Sequence, residues 1–317
     1  MTDTPNRTVT VIGAGTIGLS WTVLFLAHGN HVRVNSRNPD AERLVRDAVE
    51  LFAPGLRGGG ADPAELVSRL EFQPDLDRAV EGADVVQENT PENLELKQEL
   101  FARLGKATAP GTLLLSSTST LLPDDLGATT DDASHVVVGH PFNPPHVVPL
   151  VEVVGGTRTA PEAIARTTAF YRSLGRVPVV LRKPIAAFAA NRLQSALLQE
   201  SIHLVREGVV TVEELDAIVT NSIGLRWATV GPFRAFHLGG GQGGLRKWLT
   251  TLGAGLERGW RGLGQPRMDE ETLELLLAQA EEAFGDRTFE DLSTERDAKQ
   301  NAILTALSEV DRHRADP

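Results

Sequence analysis

The chain has 317 residues, 41% hydrophobic and 23% charged, which is enough for about two globular domains with sizeable cores. A formal net charge of −11, without a sustained run of Lys or Arg, argues against nucleic acid or an anionic membrane as a partner. The absence of cysteine excludes disulfides and thiolate zinc sites and fits a cytoplasmic protein, and no metal site is predicted.

The first part of the chain alternates strand and helix patterns. Its polar N-terminal tail runs, without a signal segment, into a short apolar strand that enters a tight glycine turn over 9–18, and no stretch has the length of a membrane span. Further strands are predicted at 31–35, 83–89, 111–120, 135–142, 148–154 and 176–181, and helices at 19–30, 39–52, 92–108 and 160–175. This alternation predicts an α/β fold with a doubly wound parallel sheet of the Rossmann type.

The pattern changes after about residue 184. The stretches 186–208 and 211–224 show the apolar spacing of helices, and no strand is recognisable from there to the end. We therefore expect a dinucleotide-binding domain over 1–185, followed by an all-helical domain over 186–317.

A glycine-rich turn joins the first strand to the first helix. Gly13, Gly15 and Gly18 form G-x-G-x-x-G, with Thr16 and Ile17 inside the motif. The first glycine permits the tight turn, the second lets a pyrophosphate approach the backbone, and the third lets the helix pack against the sheet. The free N–H groups at the helix N-terminus would bind the phosphates. The motif alone is weak, but its position between a strand and a helix predicts a dinucleotide site.

Several polar side chains fall near the ends of predicted strands, where an open α/β sheet binds its ligands. They are Ser119, His140, Asn143 and Glu152, and Asn191 opens the helical region. If GHPFNPPHVVPLVEV is strand–turn–strand, His140 and Glu152 lie on paired strands and can meet. A carboxylate beside an imidazole stabilises the protonated ring and fixes its orientation, so this pair is a candidate general acid–base.

The chain resembles the 3-hydroxyacyl-CoA dehydrogenase superfamily, within it the branch of lambda-crystallin, L-gulonate 3-dehydrogenase and carnitine dehydrogenase. The resemblance covers nearly the whole chain and rests on VIGAGTIG, PENLELK, LSSTST, GHPFNPPHVVPLVEVV, NRLQSALLQESIHLVREG and GLRWATVGPF. It implies hydride transfer at C3 of a 3-oxo or 3-hydroxy acid. His140 would then be the acid–base and Glu152 its partner, while Ser119 and Asn191 would hold the reacting oxygen.

The same resemblance implies further site residues and a partner. It assigns Glu92, Lys97 and Asn143 to the coenzyme site. It also implies a homodimer formed through the helical domain, which would bind the substrate as well.

Two segments depart from the acyl-CoA enzymes of the superfamily. The region 41–66 has no lysine-bearing hairpin for CoA, although Arg57 could substitute for a phosphate contact there. The segment 224–238 brings Arg226, either a ligand of a substrate carboxylate or a structural ion pair. Aromatic and neighbouring side chains would line an apolar pocket beside it: Trp227, Phe233, Phe236 and His237. We expect a free acid rather than a CoA thioester.

The second predicted strand ends in VRVNSRNPD, where an enzyme that uses NAD normally has an acid that binds the ribose. Ser36 would not repel the 2′-phosphate of NADP, and Arg37 can lay its guanidinium against that phosphate. Asn35 and Asn38 would add neutral donors. The sequence predicts that NADP(H) is preferred over NAD(H), and the alternative is that Arg37 only caps the next helix.

Two substrate hypotheses compete, and one hypothesis belongs to another class. A small hydroxy acid such as gulonate is one substrate. The other is a 3-oxo acid of polyketide metabolism, reduced by a ketoreductase similar to the actinorhodin type, which the apolar segment and the NADP-type site favour. A 3-hydroxyacyl-CoA dehydrogenase is a further alternative. A crystallin-like structural protein would not need the full set of Ser119, His140, Glu152 and Asn191.

Overall fold

The computed structural model describes residues 6–56 and 60–315. Contacts divide the chain into two units, Met1–Ala189 with Asp297–Thr305 and Ala190–Arg296 with Ala306–Pro317. The first unit includes a short piece of the last helix because the Asp297 carboxylate lies 3.1 Å from Nε2 of His146, and Asn301 donates to the carbonyl of Gly55. The domain boundary predicted at residue 185 stays a prediction.

The first unit is built on one eight-stranded sheet in the order β3-β2-β1-β4-β5-β6-β7-β8. Strands β1 to β6 run parallel, whereas β7 is antiparallel to β6, and β8 is parallel to β7. The sheet is therefore mixed at one edge, because an antiparallel partner needs only a short turn and no helical crossover. The strands are β1 Thr8–Ile12, β2 His31–Asn35, β3 Leu70–Phe72, β4 Val85–Glu88, β5 Leu113–Ser116, β6 Val136–Pro141, β7 Leu150–Gly155 and β8 Val177–Val180.

Helices cover both faces of this sheet. They are α1 Thr16–Ala27, α2 Ala41–Phe52, α3 Pro63–Val67, α4 Leu76–Val80, α5 Leu94–Ala107, α6 Pro123–Leu126 and α7 Pro161–Ser173. One core cluster joins the sheet to α1, α2 and α7 through Trp21, Val45 and Phe170, and the other joins it to α5 through Phe101 and Leu104. Each fully buried side chain of this size contributes roughly 1.5–3 kcal/mol of transfer free energy.

The second unit consists of helices and loops in the part of the chain that is described. Its helices are α8 Ala189–Arg206, α9 Val212–Asn221, α10 Ile223–Val230, α11 Pro232–Gly239, α12 Gly244–Thr250, α13 Leu256–Trp260, α14 Glu270–Phe284 and α15 Phe289–Ala315. The predicted fold class, a Rossmann-type α/β sheet followed by an all-helical region, is confirmed. No helix in the described ranges is long and apolar enough to cross a bilayer.

Candidate active site

The glycine turn begins α1 and leaves its N-terminus open. Gly13 has a φ of +94°, and a Cβ there would lie 2.6 Å from the carbonyl oxygen of Asn89. A Cβ on Gly18 would lie 2.0 Å from the carbonyl oxygen of Gly13, so both positions require glycine. A Cβ on Gly15 would have no described atom within 4 Å, and no described side chain caps α1. The first N–H groups of α1, next to the exposed Thr16 and part-buried Ile17, are therefore available to a diphosphate.

A cleft of about 840 Å³ extends from this turn along the ends of the strands. Its volume is within the range of roughly 300–1,000 Å³ that is common for small-molecule sites. The leucines Leu76, Leu96 and Leu100 give it an apolar wall that fits an adenine, while Ser36 and Arg37 line it next to the glycine turn. The cleft thus offers an anion site, an apolar site and polar groups between them, which fits a dinucleotide. Arg57, the candidate CoA contact, lies outside the described residues.

The end of β2 presents one cation to this cleft. Ser36 Oγ accepts a hydrogen bond of 3.2 Å from the backbone N–H of Asn38, and Arg37 is exposed. The expectation that Asn35 supplies a further donor is wrong. Its side-chain amide donates to the carbonyl oxygens of Gln73 at 2.8 Å and Pro74 at 3.1 Å, so both hydrogens hold the loop after β3.

The loop that follows β5, residues 117–120, carries Ser119, and we refer to it as the Ser119 loop. Its residues converge on one oxygen of Glu92. Oε1 accepts hydrogen bonds from the hydroxyls of Thr118 and Thr120 and from the backbone N–H groups of Ser119 and Thr120, both at 3.2 Å. Burial raises the pKa of Glu92, but these hydrogen bonds and the charge of Lys97 outweigh burial and hold the pKa below its usual value. Glu92 thus fixes the backbone that presents Ser119.

Lys97 is buried behind this loop. Its ammonium donates to Oε1 of Glu88 at 2.6 Å and to the carbonyl of Thr90 at 3.1 Å, and its side chain is 1% exposed. Ser116 donates to the other oxygen of Glu88 at 2.5 Å. The assignment of Lys97 and Glu92 to the coenzyme stays a prediction, and both charges already have partners in the protein. Glu88 was not predicted as a site residue, although a carboxylate at the end of an apolar strand is a recognisable signal.

His140 and Glu152 face each other across the β6–β7 pair. They are direct partners in its register, and Nδ1 of the imidazole lies 2.9 Å from Oε2 of the carboxylate. Both side chains are buried, and the backbone N–H of Ala189 donates to Oε1 of Glu152 at 2.8 Å. With Nδ1–H donating to Glu152, the ring is fixed in orientation and Nε2 is left as the atom that can exchange a proton with a substrate. The strand–turn–strand interpretation is confirmed here.

The other predicted site residues lie in the β6–β7 turn and on helices of the second unit. Asn143 is exposed in the β6–β7 turn, and Asn191 is part-buried in the first turn of α8. Arg226 and Trp227 are exposed on α10. In the predicted aromatic pocket, Phe236 packs against Trp248 with ring centroids 4.3 Å apart, His237 accepts from the N–H of Leu245, and Phe233 is 76% exposed. The roles of all these residues stay predictions.

Comparison with known proteins gives the family. A model described as "3-hydroxyacyl-CoA dehydrogenase, NAD binding domain" matches residues 8–184, and "3-hydroxyacyl-CoA dehydrogenase, C-terminal domain" matches 188–279. The chain belongs to the 3-hydroxyacyl-CoA dehydrogenase family. It is therefore an oxidoreductase of that family, and the part that matches the NAD binding domain includes the glycine turn and the His140–Glu152 pair.

Curated relatives of this dehydrogenase share one name. L-carnitine dehydrogenase of Streptomyces coelicolor is 42% identical over 96% of both chains, and that of Pseudomonas aeruginosa is 39% identical over 96% of this chain and 95% of its own. These relatives are named for carnitine and not for a polyketide, so they do not support the polyketide hypothesis.

Solved structures agree with the fold. An NAD⁺-dependent FHMPC 5-dehydrogenase superposes with a TM-score of 0.73 at 28% identity, covering 96% of this chain and 99% of its own. A 3-hydroxyacyl-CoA dehydrogenase of Archaeoglobus fulgidus gives 0.63 at 26% identity, covering 85% and 86%.

The hydrogen bonds to Glu92 predict that neutralising its carboxylate lowers the stability of the protein, and that the loss depends on pH. Glu92→Gln should lower Tm by a few degrees at pH 7, because the ionised carboxylate binds the loop better than a neutral amide. Since the folded-state pKa is lowered, this stabilisation is present above the ordinary value of 4.5 and lost as pH falls through the folded value. Thermal melts from pH 3 to 7 measure it, with exposed Glu95→Gln as the control. A Tm difference that does not change with pH would contradict this role.

Proposed function

We propose that this protein transfers hydride between a nicotinamide coenzyme and C3 of a 3-hydroxy acid with a free carboxylate, and that L-carnitine is its substrate. The observation that carries the proposal is the buried His140–Glu152 pair, 2.9 Å apart, in a chain whose family is dehydrogenases. A buried imidazole with one nitrogen tied to a carboxylate has one proton-exchanging atom, as alcohol oxidation at a fixed position requires.

The mechanism assigns one role to each side chain. The bound nicotinamide supplies the hydride acceptor in oxidation and the hydride donor in reduction. In oxidation, Nε2 of His140 takes the hydroxyl proton, and Glu152 stabilises the imidazolium through Nδ1–H. In reduction, His140 returns that proton to the forming alkoxide. Hydrogen bonds from Ser119 and Asn191 would stabilise charge on the same oxygen.

Two exposed residues of α10 have the chemistry to bind the two ends of carnitine. A guanidinium binds a carboxylate through two parallel hydrogen bonds, which is the role proposed for exposed Arg226. A trimethylammonium group is attracted to an aromatic face, and Trp227, 39% exposed, is the neighbouring residue on the same helix. The names of the curated relatives support this choice of substrate.

Reduction of a polyketide-type 3-oxo acid is the second candidate. It is favoured by the end of β2, where Ser36 and Arg37 stand in place of the acid that selects NAD. We propose on the same observation that NADP(H) is preferred over NAD(H). A cation beside the ribose would bind the 2′-phosphate of NADP(H), the coenzyme that a reductive biosynthetic enzyme would use. Asp75, which lines the same cleft, accepts a hydrogen bond from the backbone N–H of Arg78 and caps α4.

We also propose a homodimer formed through the helical domain. Helices α9, α10 and α11 have no buried residue in the single described chain. Large apolar side chains on them are exposed, among them Ile218 at 51%, Leu225 at 59% and Phe233 at 76%. An unpartnered apolar surface of this kind is what an obligate interface covers.

His140→Ala should abolish most of the turnover of L-carnitine while coenzyme affinity is kept. The loss of a positioned general acid–base costs about 10²–10⁴-fold in kcat. Steady-state kinetics and coenzyme titration measure the two effects. The matched control is His135→Ala, which removes a histidine five residues earlier beside the same strand. Retention of more than about a tenth of kcat would show that another group carries the proton.

Arg226→Lys should raise KM for the free acid far more than for its methyl ester. An ammonium cannot form the two parallel bonds of a guanidinium, so only the carboxylate interaction is weakened. Kinetics with L-carnitine and its methyl ester compare the two, and Arg234→Lys on α11 is the exposed control. Equal changes in KM for acid and ester would remove Arg226 from carboxylate binding.

Wild-type kcat/KM should be about tenfold or more higher with NADP(H) than with NAD(H), because one charge-assisted contact is worth about 1.5–3 kcal/mol. The double variant Ser36→Asp, Arg37→Ile should reverse the ratio, since it adds repulsion and removes attraction. A wild type that favours NAD(H), or a double variant with an unchanged ratio, would disprove the proposed selection.

The dimer predicts a mass of twice the chain mass of 34.1 kDa. Light scattering coupled to gel filtration at micromolar concentration measures it. A monomeric mass would contradict the proposal.

A further inference from the structure

The hydroxyl of Ser117 occupies a saturated hydrogen-bonding position between the coenzyme helix and the Ser119 loop. Its Oγ accepts from Nε1 of Trp21 at 3.0 Å and from Nε2 of Gln87 at 2.9 Å, and it donates to Oδ1 of Asn89 at 2.8 Å. A serine hydroxyl has one hydrogen to donate and two lone pairs to accept. All three are used, so the position of this oxygen is fixed by α1, through Trp21, and by β4 with the residue that follows it, through Gln87 and Asn89.

Two of the three partners, Trp21 and Gln87, are themselves held in place. The fully buried ring of Trp21 stacks on Phe25 at 5.2 Å and on Tyr171 at 5.5 Å between centroids. The hydroxyl of Tyr171 donates to Oε1 of Gln87 at 2.8 Å, so the Gln87 amide cannot rotate without breaking two bonds. Neither side chain can therefore follow a displaced Ser117 without losing its own contacts.

Two of the partners, Trp21 and Asn89, also connect to the glycine turn. Trp21 lies on α1, whose N-terminus is the glycine turn. The carbonyl of Asn89 is the group that a Cβ at Gly13 would strike. Ser117 is two residues before Ser119, and the remainder of that loop is held by Glu92. The Ser119 loop is therefore attached at one end to α1 and at the other to Glu92.

We propose that Ser117 is a positioning residue that sets the distance between the coenzyme helix and Ser119, and so between the nicotinamide and the substrate carbon. This inference rests on the proposed function for its kinetic part. Hydride transfer needs reacting atoms about 3–3.5 Å apart, and a displacement of about 1 Å can cost 10²-fold in rate. The hydrogen bond between Trp21 and Ser117 joins residues that are 96 positions apart, so it forms only when the sheet has assembled.

Trp21→Phe and Ser117→Ala test the link. Phe retains an aromatic ring between Phe25 and Tyr171 and deletes the donor, whereas Ala deletes all three bonds. We expect kcat to fall about 10- to 100-fold in each variant with coenzyme Kd within about twofold of wild type. The double variant should be no slower than Ser117→Ala alone, because both changes break one link. Thr168→Val, which removes a buried hydroxyl on α7, is the control and should leave kcat unchanged.

A spectroscopic readout does not depend on turnover. The indole N–H resonance of Trp21 is assigned by its absence in Trp21→Phe. In otherwise wild-type protein, Glu92→Gln should shift this resonance, because loosening the loop at one end is transmitted through Ser117. In the Ser117→Ala background that shift should disappear. Three outcomes would each overturn the positioning role. The kcat losses of Trp21→Phe and Ser117→Ala could be additive in the double variant, or each single variant could keep kcat within twofold of wild type. The indole resonance could also stay unshifted in Glu92→Gln. Absence of wild-type turnover with any 3-hydroxy or 3-oxo acid, with the indole responses intact, would overturn the proposed function alone.

Discussion

A carboxylate inside the sheet governs the edge on which this site is built. Glu88 ends β4 and is fully buried, and an unpaired charge there would cost several kcal/mol. Lys97 neutralises it from α5, while Thr90 and Ser116 donate to its oxygens. Because these partners come from a helix, a loop and the next strand, satisfying one charge fixes where α5 lies against the sheet and where β5 ends. The Ser119 loop starts from that point.

Two further carboxylates, one partly exposed and one buried, act elsewhere in the site. Glu92 is partly exposed and holds the backbone of the Ser119 loop, whereas buried Glu152 orients His140. Both use their charge to organise hydrogen-bond donors. Binding of an anionic substrate or coenzyme instead needs positive charge. Because the chain has a net charge of −11, it attracts such anions only through local cations, such as those proposed at Arg226 for the substrate and Arg37 for the coenzyme.

Several features were readable from local patterns. The longer helices of the first unit, seven of its eight strands, the glycine turn and the pairing of His140 with Glu152 were predicted, because apolar periodicity and a short strand–turn–strand segment are properties of neighbouring residues. The short helices α3, α4 and α6 were not predicted. The three-residue strand β3 was missed, since it is too short to show a period. The direction of β8, which runs parallel to β7 and so against β1 to β6, was not predicted, since alternation alone does not give strand direction.

The sequence by itself determined the fold class, the family and the residue types available for chemistry. Only the tertiary structure decided which of those residues are already bound to one another. Lys97 is paired with Glu88, and the side chain of Asn35 donates to the loop after β3. The hydroxyl of Ser117 is hydrogen-bonded to Trp21 and Gln87. The physical reason is that a polar side chain becomes committed only when distant elements pack around it and remove water. Its hydrogen-bond partner is then chosen by the assembled sheet, which no local spacing records.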